Sequence, residues 1–271
     1  MATPGTTAAP APPRAIPRFR DVLHAELTKL RSVRATYWSL VAAVVFMIGF
    51  AVLEALILPG RLSPQDKETL DGVRVSLGGT HLAQVAFGAL GVLVVTSEYT
   101  TGLIRATFAA MPRRSQVLLA KIVVFGAGAF VVGVAACFAA FFAFQGLLSG
   151  EDTLRTSIGD PGVLRALIGG GLFLAVLGLL GMGLGAIMRS SAGAISALTG
   201  LLFVPQILVQ FLPEASKLAV GRYLLMQAGG QIFAQEPEPG SFGPWTGFAI
   251  FTLYAVIALA VGMVLTNRRD A

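Results

Sequence analysis

The sequence is short of charge, cysteine and histidine, and each shortage excludes a class of protein. Only 13% of its 271 residues are charged, whereas an ordinary soluble domain carries about 25%, and this excludes a soluble globular enzyme and a disordered protein. The single cysteine, Cys137, excludes a disulfide-stapled domain and a cysteine metal site. The two histidines, His24 and His81, are far apart in the chain, so no metal site and no catalytic residue is predicted.

Long apolar stretches dominate the chain instead. Hydrophobic residues make up 55% of it, and the mean hydropathy is +0.77. Crossing the core of a bilayer takes about 20 apolar helical residues, and in hydrocarbon the backbone polar groups must be satisfied within the helix. The sequence therefore predicts an all-α polytopic membrane protein with six transmembrane helices. Their predicted spans are about 37–58, 77–97, 117–148, 163–188, 192–212 and 245–266.

The distribution of basic residues predicts how these spans are oriented. With the amino terminus inside, the cytoplasmic segments hold 13 of the 20 basic residues, and the other side holds seven basic and nine acidic ones. Because basic residues concentrate on the cytoplasmic side, both termini are predicted to be cytoplasmic in a multi-pass plasma-membrane protein. The net charge of +6 is thus read as membrane orientation and not as nucleic-acid binding.

The first residues of the chain differ from the rest. Residues 1–17 hold five of the 14 prolines and no apolar run of the kind a signal peptide needs. They are predicted to form a disordered cytoplasmic tail. Residues 18–271 are predicted to form a single transmembrane domain.

A basic amphipathic helix is predicted before the first span. Apolar residues recur at helical spacing between Ile16 and Val33, and most of the charged residues lie elsewhere on the helical wheel. Such a helix is expected to lie in the membrane interface with its cations near lipid headgroups. It would act as a plain anchor or would also contact a cytoplasmic partner. The residues predicted to matter in it are Phe19, Leu23, Glu26, Leu27, Lys29, Leu30 and Arg31.

The segment SEYTTGLIRATFAAMPRRSQVLLAK, residues 97–121, is longer than a minimal loop between two spans. Glu98 and Tyr99 lie where the second span leaves the membrane, and Gly102 permits a turn. Residues 103–110 are compatible with a short helix, which Pro112 would stop. The sequence therefore predicts a short helix across the cytoplasmic side, tethered to a span at each end.

The block S-E-Y-T-T-G-L-I-R-A-T, the following M-P-R-R with Lys121, and the preceding E-L-T-K-L-R-S-V-R resemble the permease subunits of type-2 ABC transporters, especially bacterial ones common in actinomycetes. The resemblance implies that two permease subunits, identical or different, form the pathway above two ATP-binding subunits. It also implies that the short helix is a coupling helix and that the transporter is an exporter. The coupling residues it implies are Glu98, Tyr99, Gly102, Arg105, Phe108, Pro112, Arg113 and Arg114.

No phosphate-loop motif G-x-x-x-x-G-K-[ST] is present, and this predicts a transport subunit that is not itself an enzyme. ATP and Mg²⁺ would be bound by the partner ATPase, and this chain would bind no cofactor. The plainer interpretation of the same block is interfacial anchoring, with Glu98 neutralised by Arg105.

Few polar residues lie within the predicted spans, and each is a candidate for the transport pathway or for hydrogen bonds between helices. The scarcity of charge argues against a proton- or sodium-driven relay. A standalone secondary transporter or channel is the alternative function. The candidates are Glu54, His81, Gln84, Gln145, Gln206 and Gln210.

The fourth span carries closely spaced glycines. Gly181 and Gly185 form a G-x-x-x-G pair, and Gly178 lies one turn earlier. Small residues at this spacing predict a close helix–helix approach, either within the chain or with a second subunit.

Overall fold

A computed structural model of the chain describes residues 18–63, 65, 70–103, 114–148, 155–236 and 239–268. Every element in these residues is a helix, and two of them are short 3-10 turns at Leu58–Gly60 and Gln231–Phe233. The α-helices are α1 (Phe19–Ser32), α2 (Arg34–Ile57), α3 (Gly72–Ser76), α4 (Thr80–Thr100), α5 (Arg114–Leu147), α6 (Val163–Met188), α7 (Ser191–Val209), α8 (Glu214–Gly221), α9 (Leu225–Gly230) and α10 (Pro244–Arg268).

Six of these helices, α2, α4, α5, α6, α7 and α10, are long and apolar enough to cross a membrane. They correspond to the six predicted spans, and the fold is that of a multi-pass membrane protein. The largest differences between the predicted spans and the observed helices are at the ends of the helices. The second span begins at Thr80 rather than at residue 77, because Leu77–Gly79 form a turn after α3. The predicted tail, residues 1–17, lies outside the described residues.

Helix α6 occupies the centre of the bundle. It packs against α4, α5 and α10, and 72% of its most apolar window is buried, compared with 22% for α2 and for α7. Phe173, Leu174 and Leu177 on α6 are almost fully buried. Helices α2, α5, α7 and α10 therefore keep much of their apolar surface for the bilayer or for another subunit.

The glycines of α6 allow α4 to approach it closely. A Cβ atom built at Gly91 of α4 would lie 1.8 Å from the carbonyl oxygen of Gly178, and one built at Gly181 would lie 2.2 Å from that of Gly88. No side chain fits at either point. The close approach predicted from the glycine spacing is confirmed, and it is made within the chain.

The end of the bundle opposite α1 is closed by the segment that contains α8 and α9. Ile232 and Phe233, just after α9, are buried against the core around α6. Arg165 of α6 donates hydrogen bonds to the carbonyl oxygens of Ala234, at 3.0 Å, and Gln235, at 2.7 Å. These bonds fix the segment to the start of α6.

We expect Gly91→Val to destabilise the fold. The added side chain must push α4 and α6 apart, and overpacking of this kind costs about 1–3 kcal/mol. In a chain of this size each kcal/mol lowers the unfolding midpoint by about 2–4 °C. The measurement is thermal unfolding in detergent. The control is Gly146→Val in α5, where a Cβ meets nothing within 4 Å. Equal midpoints for the two variants would show that the helices do not approach this closely.

Candidate functional site

The predicted site lies where the chain passes from α4 to α5. Helix α4 ends at Thr100, and α5 begins at Arg114. Gly102 adopts a positive φ of 71°, a conformation that glycine takes without strain after the end of a helix. The turn predicted at Gly102 is therefore present. Residues 104–113 lie outside the described residues, and with them lie Arg105, Phe108, Pro112, Arg113 and most of the predicted short helix; of Arg114, only its place at the start of α5 is described.

Four charged side chains from three helices meet beside this passage and form what we call the charge cluster: Glu26 and Lys29 of α1, Glu98 of α4 and Lys121 of α5. The Lys121 Nζ lies 2.7 Å from Glu26 Oε2 and 2.7 Å from Glu98 Oε1. The Lys29 Nζ lies 2.8 Å from Glu98 Oε1 and 3.1 Å from Glu26 Oε1. Each ammonium thus donates to both carboxylates, and the formal charges balance.

Three members of the charge cluster are buried. The side chains of Glu26, Glu98 and Lys121 are 6%, 6% and 4% exposed, whereas Lys29 is 43% exposed at the edge. An apolar contact next to them, of Val22 with Val117 and Ala120, seats α1 on the first turns of α5.

The burial of Glu26 departs from the amphipathic prediction. That prediction set Glu26 and Lys29 apart from the apolar stripe of the helix. In the structure they turn with Val22 toward the bundle, while Phe19 and Leu27 are more than one third exposed. The physical reason is that α5 presents Lys121 at this level, and a buried ammonium requires carboxylate partners.

The charge cluster fixes the relative positions of α1, α4 and α5 more than it adds to the free energy of unfolding. Removing charges from water costs about as much free energy as the pairing returns, but breaking a buried pair leaves one charge without a partner. Glu98 Oε2 is buried and has no hydrogen-bond partner among the described residues. Glu98 therefore relies on its other oxygen, which accepts from both lysines.

The pKa of Lys29 reflects these contacts. Partial burial by itself would lower the pKa of its ammonium. The hydrogen bond and charge of Glu98, together with those of Glu26, more than offset this effect, so the pKa lies above the ordinary value of 10.5. Lys29 is therefore a charged member of the cluster at neutral pH.

The last turn of α4 contacts two more helices at the same end of the bundle. Thr96 Oγ1 lies 2.7 Å from Ser191 Oγ, at the start of α7. The guanidinium of Arg189, which caps α6 with a positive φ of 53°, lies 5.0 Å from the centroid of the Tyr99 ring. Residues 96–99 thus connect α4 to α1, α5, α6 and α7.

The residues predicted to line a pathway do not all come together. Gln206 and Gln210 line a cavity of about 290 Å³ at the end opposite α1, together with Lys217 and Arg222. The other four, Glu54, His81, Gln84 and Gln145, do not line it.

Those four candidates have local surroundings of their own. The His81 ring lies 6.3 Å from that of Phe233, and the fully buried Gln84 reaches the Met226 sulfur at 3.9 Å. Gln145 accepts a backbone hydrogen bond from Thr156 at 3.1 Å. Glu54 is half-buried in the last turn of α2. No group of three potential metal ligands lies together within the residues that the structure describes.

Two residues of this site are not among the predicted site residues. Lys121 belongs to the motif, but the partner considered for Glu98 was Arg105. Arg189 is one of the 13 basic residues of the predicted cytoplasmic segments and has no further predicted role. A signal for Lys121 was present, since a lone lysine within the apolar run VLLAKIVVF indicates a buried acidic partner.

Comparison with protein-family models and with curated proteins finds no match for this chain.

We expect Lys121→Met to be strongly destabilising. It leaves two buried carboxylates with one half-exposed ammonium, and breaking a buried ion pair costs about 3–5 kcal/mol. The double variant Glu26→Gln/Lys121→Met restores the balance of charge and should regain part of the loss. The measurement is the unfolding midpoint in detergent. If the double variant loses more stability than the two single variants lose together, the pairing is contradicted.

We expect the contribution of Lys29 to the stability of the fold to be lost at alkaline pH. Because its pKa is raised in the folded chain, this contribution is complete below about 10.5, the pKa in the unfolded chain, and is lost as pH rises through the folded-state pKa. In Lys29→Arg the charge persists over this range. Unfolding midpoints of the two proteins should therefore differ by a constant amount up to pH of about 9 and diverge in favour of Arg above about 10.5. Parallel curves throughout would contradict the role of Lys29.

Proposed function

We propose that this chain is the membrane-spanning permease subunit of a type-2 ABC transporter, working as an exporter and driven by a separate ATP-binding subunit. The observation that carries the proposal is the charge cluster, which ties α1 to both helices that flank residues 101–113. The resemblance of the sequence around Glu98 to such permeases agrees with it.

The geometry supports a mechanical role for the segment between α4 and α5. A partner that pushes on the segment between α4 and α5 acts on both helices at once, and Glu98 in the last turn of α4 and Lys121 two turns into α5 move with them. The ion pairs carry the displacement to α1. The contacts of Thr96 with Ser191 and of Tyr99 with Arg189 carry it to α7 and α6.

The hydrolysis of ATP is assigned to the partner. The chain has no phosphate-loop motif, and so the proposal places ATP and Mg²⁺ on the ATP-binding subunit. Docking of that subunit on the segment after Glu98 requires this end of the bundle to face the cytoplasm. In the proposal both termini also lie in the cytoplasm, and the membrane is a bacterial plasma membrane.

A second permease subunit, identical or different, completes the proposed pathway. The apolar faces of α2 and α7 support this, since only 22% of the most apolar window of each helix is buried within the chain. Phe46 of α2 and Ile207 of α7 are 62% and 59% exposed. Between two subunits these faces would line or close a passage.

The test is purification of the tagged chain from its native membranes in mild detergent. We expect a phosphate-loop ATPase to copurify with it, and Glu98→Gln to reduce its amount severalfold. The matched control is Asp71→Asn. It removes a carboxylate that accepts from the backbone N–H of Gln235 at 2.7 Å, at the opposite end of the bundle, and should leave the partner bound. Absence of any ATPase, with ion-gradient-driven flux in liposomes without ATP, would instead favour a secondary transporter or channel.

The same preparation tests orientation and docking. Cys137, the single native cysteine, is fully buried, so a cysteine introduced at exposed Thr101 reports its own labelling. A membrane-impermeant maleimide should modify Thr101→Cys only from the cytoplasmic side and more slowly when the ATPase is bound. Ser63→Cys, exposed after α2, should be labelled only from outside. Labelling of Thr101→Cys from outside would contradict the proposal.

A further inference from the structure

A large groove lies on the outer side of α1, where that helix meets α2 and α5. Its volume is about 750 Å³, within the range of about 300–1,000 Å³ typical of ligand pockets. Its walls are almost wholly apolar, and the end formed by α1 carries the basic side chains of Arg20 and Arg31. The residues lining the apolar walls include Leu23, Leu27, Leu30, Leu40, Val123 and Val131.

Helix α1 presents two different faces, and only one of them carries the charge cluster. Val22, Glu26 and Lys29 turn inward to the bundle and the charge cluster. Arg20 and Arg31 lie on the face that lines the groove. The other α1 residues that line the groove are apolar, except for His24. The basic residues extend along roughly 16 Å of the helix at 1.5 Å per residue.

Neither Arg20 nor Arg31 forms an ion pair within the described residues. Helix α1 contains two acidic residues, and both are engaged elsewhere. Asp21 accepts the backbone N–H of Arg18 at 2.9 Å, and Glu26 pairs with the two lysines of the cluster. None of the described residues that line the groove is acidic. Its open end therefore attracts an anion.

The apolar part of the groove has the depth of one membrane leaflet. It follows α5 from Val123 to Val132, which is about 14 Å at 1.5 Å per residue, and half of a bilayer core is about 15 Å. Tyr37 lines it near the start of α2, the level at which aromatic residues lie against headgroups. A charged end at the interface and an apolar wall below it match an amphiphile whose head is anionic.

We propose that this groove binds an anionic phospholipid from the leaflet in which α1 lies. The phosphate lies at the α1 end of the groove, attracted by the positive charge of Arg20 and Arg31, and an acyl chain runs down α5 past Gly128. A lipid held there packs against the outer face of the same helix whose inner face carries the charge cluster. The proposal requires the membrane placement of the chain but not its ATP-driven function.

The first test measures lipid retention. The protein is reconstituted into vesicles of equal parts phosphatidylglycerol and phosphatidylcholine, extracted into detergent, and its bound lipid identified by native mass spectrometry. We expect retained phosphatidylglycerol in preference to phosphatidylcholine. Arg20→Gln/Arg31→Gln should weaken it by about fivefold for each arginine removed. The control Arg18→Gln/Arg34→Gln changes the net charge equally at positions outside the groove and should retain it.

The second test fills the groove without changing charge. A Cβ at Gly128 meets nothing within 4 Å, so Gly128→Leu occupies the lipid's place without strain on the fold. It should abolish retention of phosphatidylglycerol, while Gly146→Leu, equally unhindered on the same helix, should not. Loss of folding in Gly128→Leu would be seen in its unfolding midpoint, and the charge variants then decide the question.

Three results would overturn the proposal. They are equal retention of the two lipids, equal retention by the two double arginine variants, and a protein dimer that is lost in Arg20→Gln/Arg31→Gln while no lipid is bound. The last would assign the groove to a second copy of the chain. None of them involves ATP or a partner ATPase, and so none bears on the proposed function.

Discussion

An ammonium group two turns into a membrane-crossing helix must be paired, and much of the architecture at one end of this protein follows from that need. Lys121 lies in an apolar stretch of α5 and is almost completely buried. Because a lone buried charge is very costly, two carboxylates must reach it, and they come from the end of the preceding span and from α1, 95 positions away in the chain. The position of α1 against the bundle and the position of the end of α4 are both set by this requirement.

The centre of the bundle obeys a constraint of a different kind. Where α4 crosses α6, the backbones approach so closely that Gly91 and Gly178 leave no room for a side chain. Close approach of this kind gives extensive van der Waals contact, which takes the place of the hydrophobic effect between helices in lipid. The two constraints meet on α4, whose middle is packed against α6 and whose end carries Glu98. In the proposed function, a displacement at the end of α4 would therefore be passed to a well-packed core.

Helix α1 connects two surfaces that the proposals assign to different partners. Its inner face belongs to the charge cluster, beside the passage where an ATP-binding subunit would dock. Its outer face lines the groove proposed for an anionic lipid. Both faces belong to one rigid helix of 14 residues, so binding on the outer face constrains the inner face. In this arrangement the lipid would stabilise one position of α1 relative to α4 and α5.

The number and length of the spanning helices were determined by the sequence, since an apolar run of about 20 residues has one stable arrangement in a bilayer. The turn at Gly102 and the close packing of the glycines in α6 were also readable, because both depend on the absence of a side chain at a given position. The tertiary structure alone decided that α6 lies at the centre, since its mean hydropathy of 2.2 lies between those of the other spans, which range from 1.5 to 2.7. It also decided which charges meet: Lys29 and Glu98 are 69 positions apart, and no local pattern relates them. Their pairing arises only when packing seats α1 on the start of α5, which turns Glu26 from the predicted polar face into the bundle.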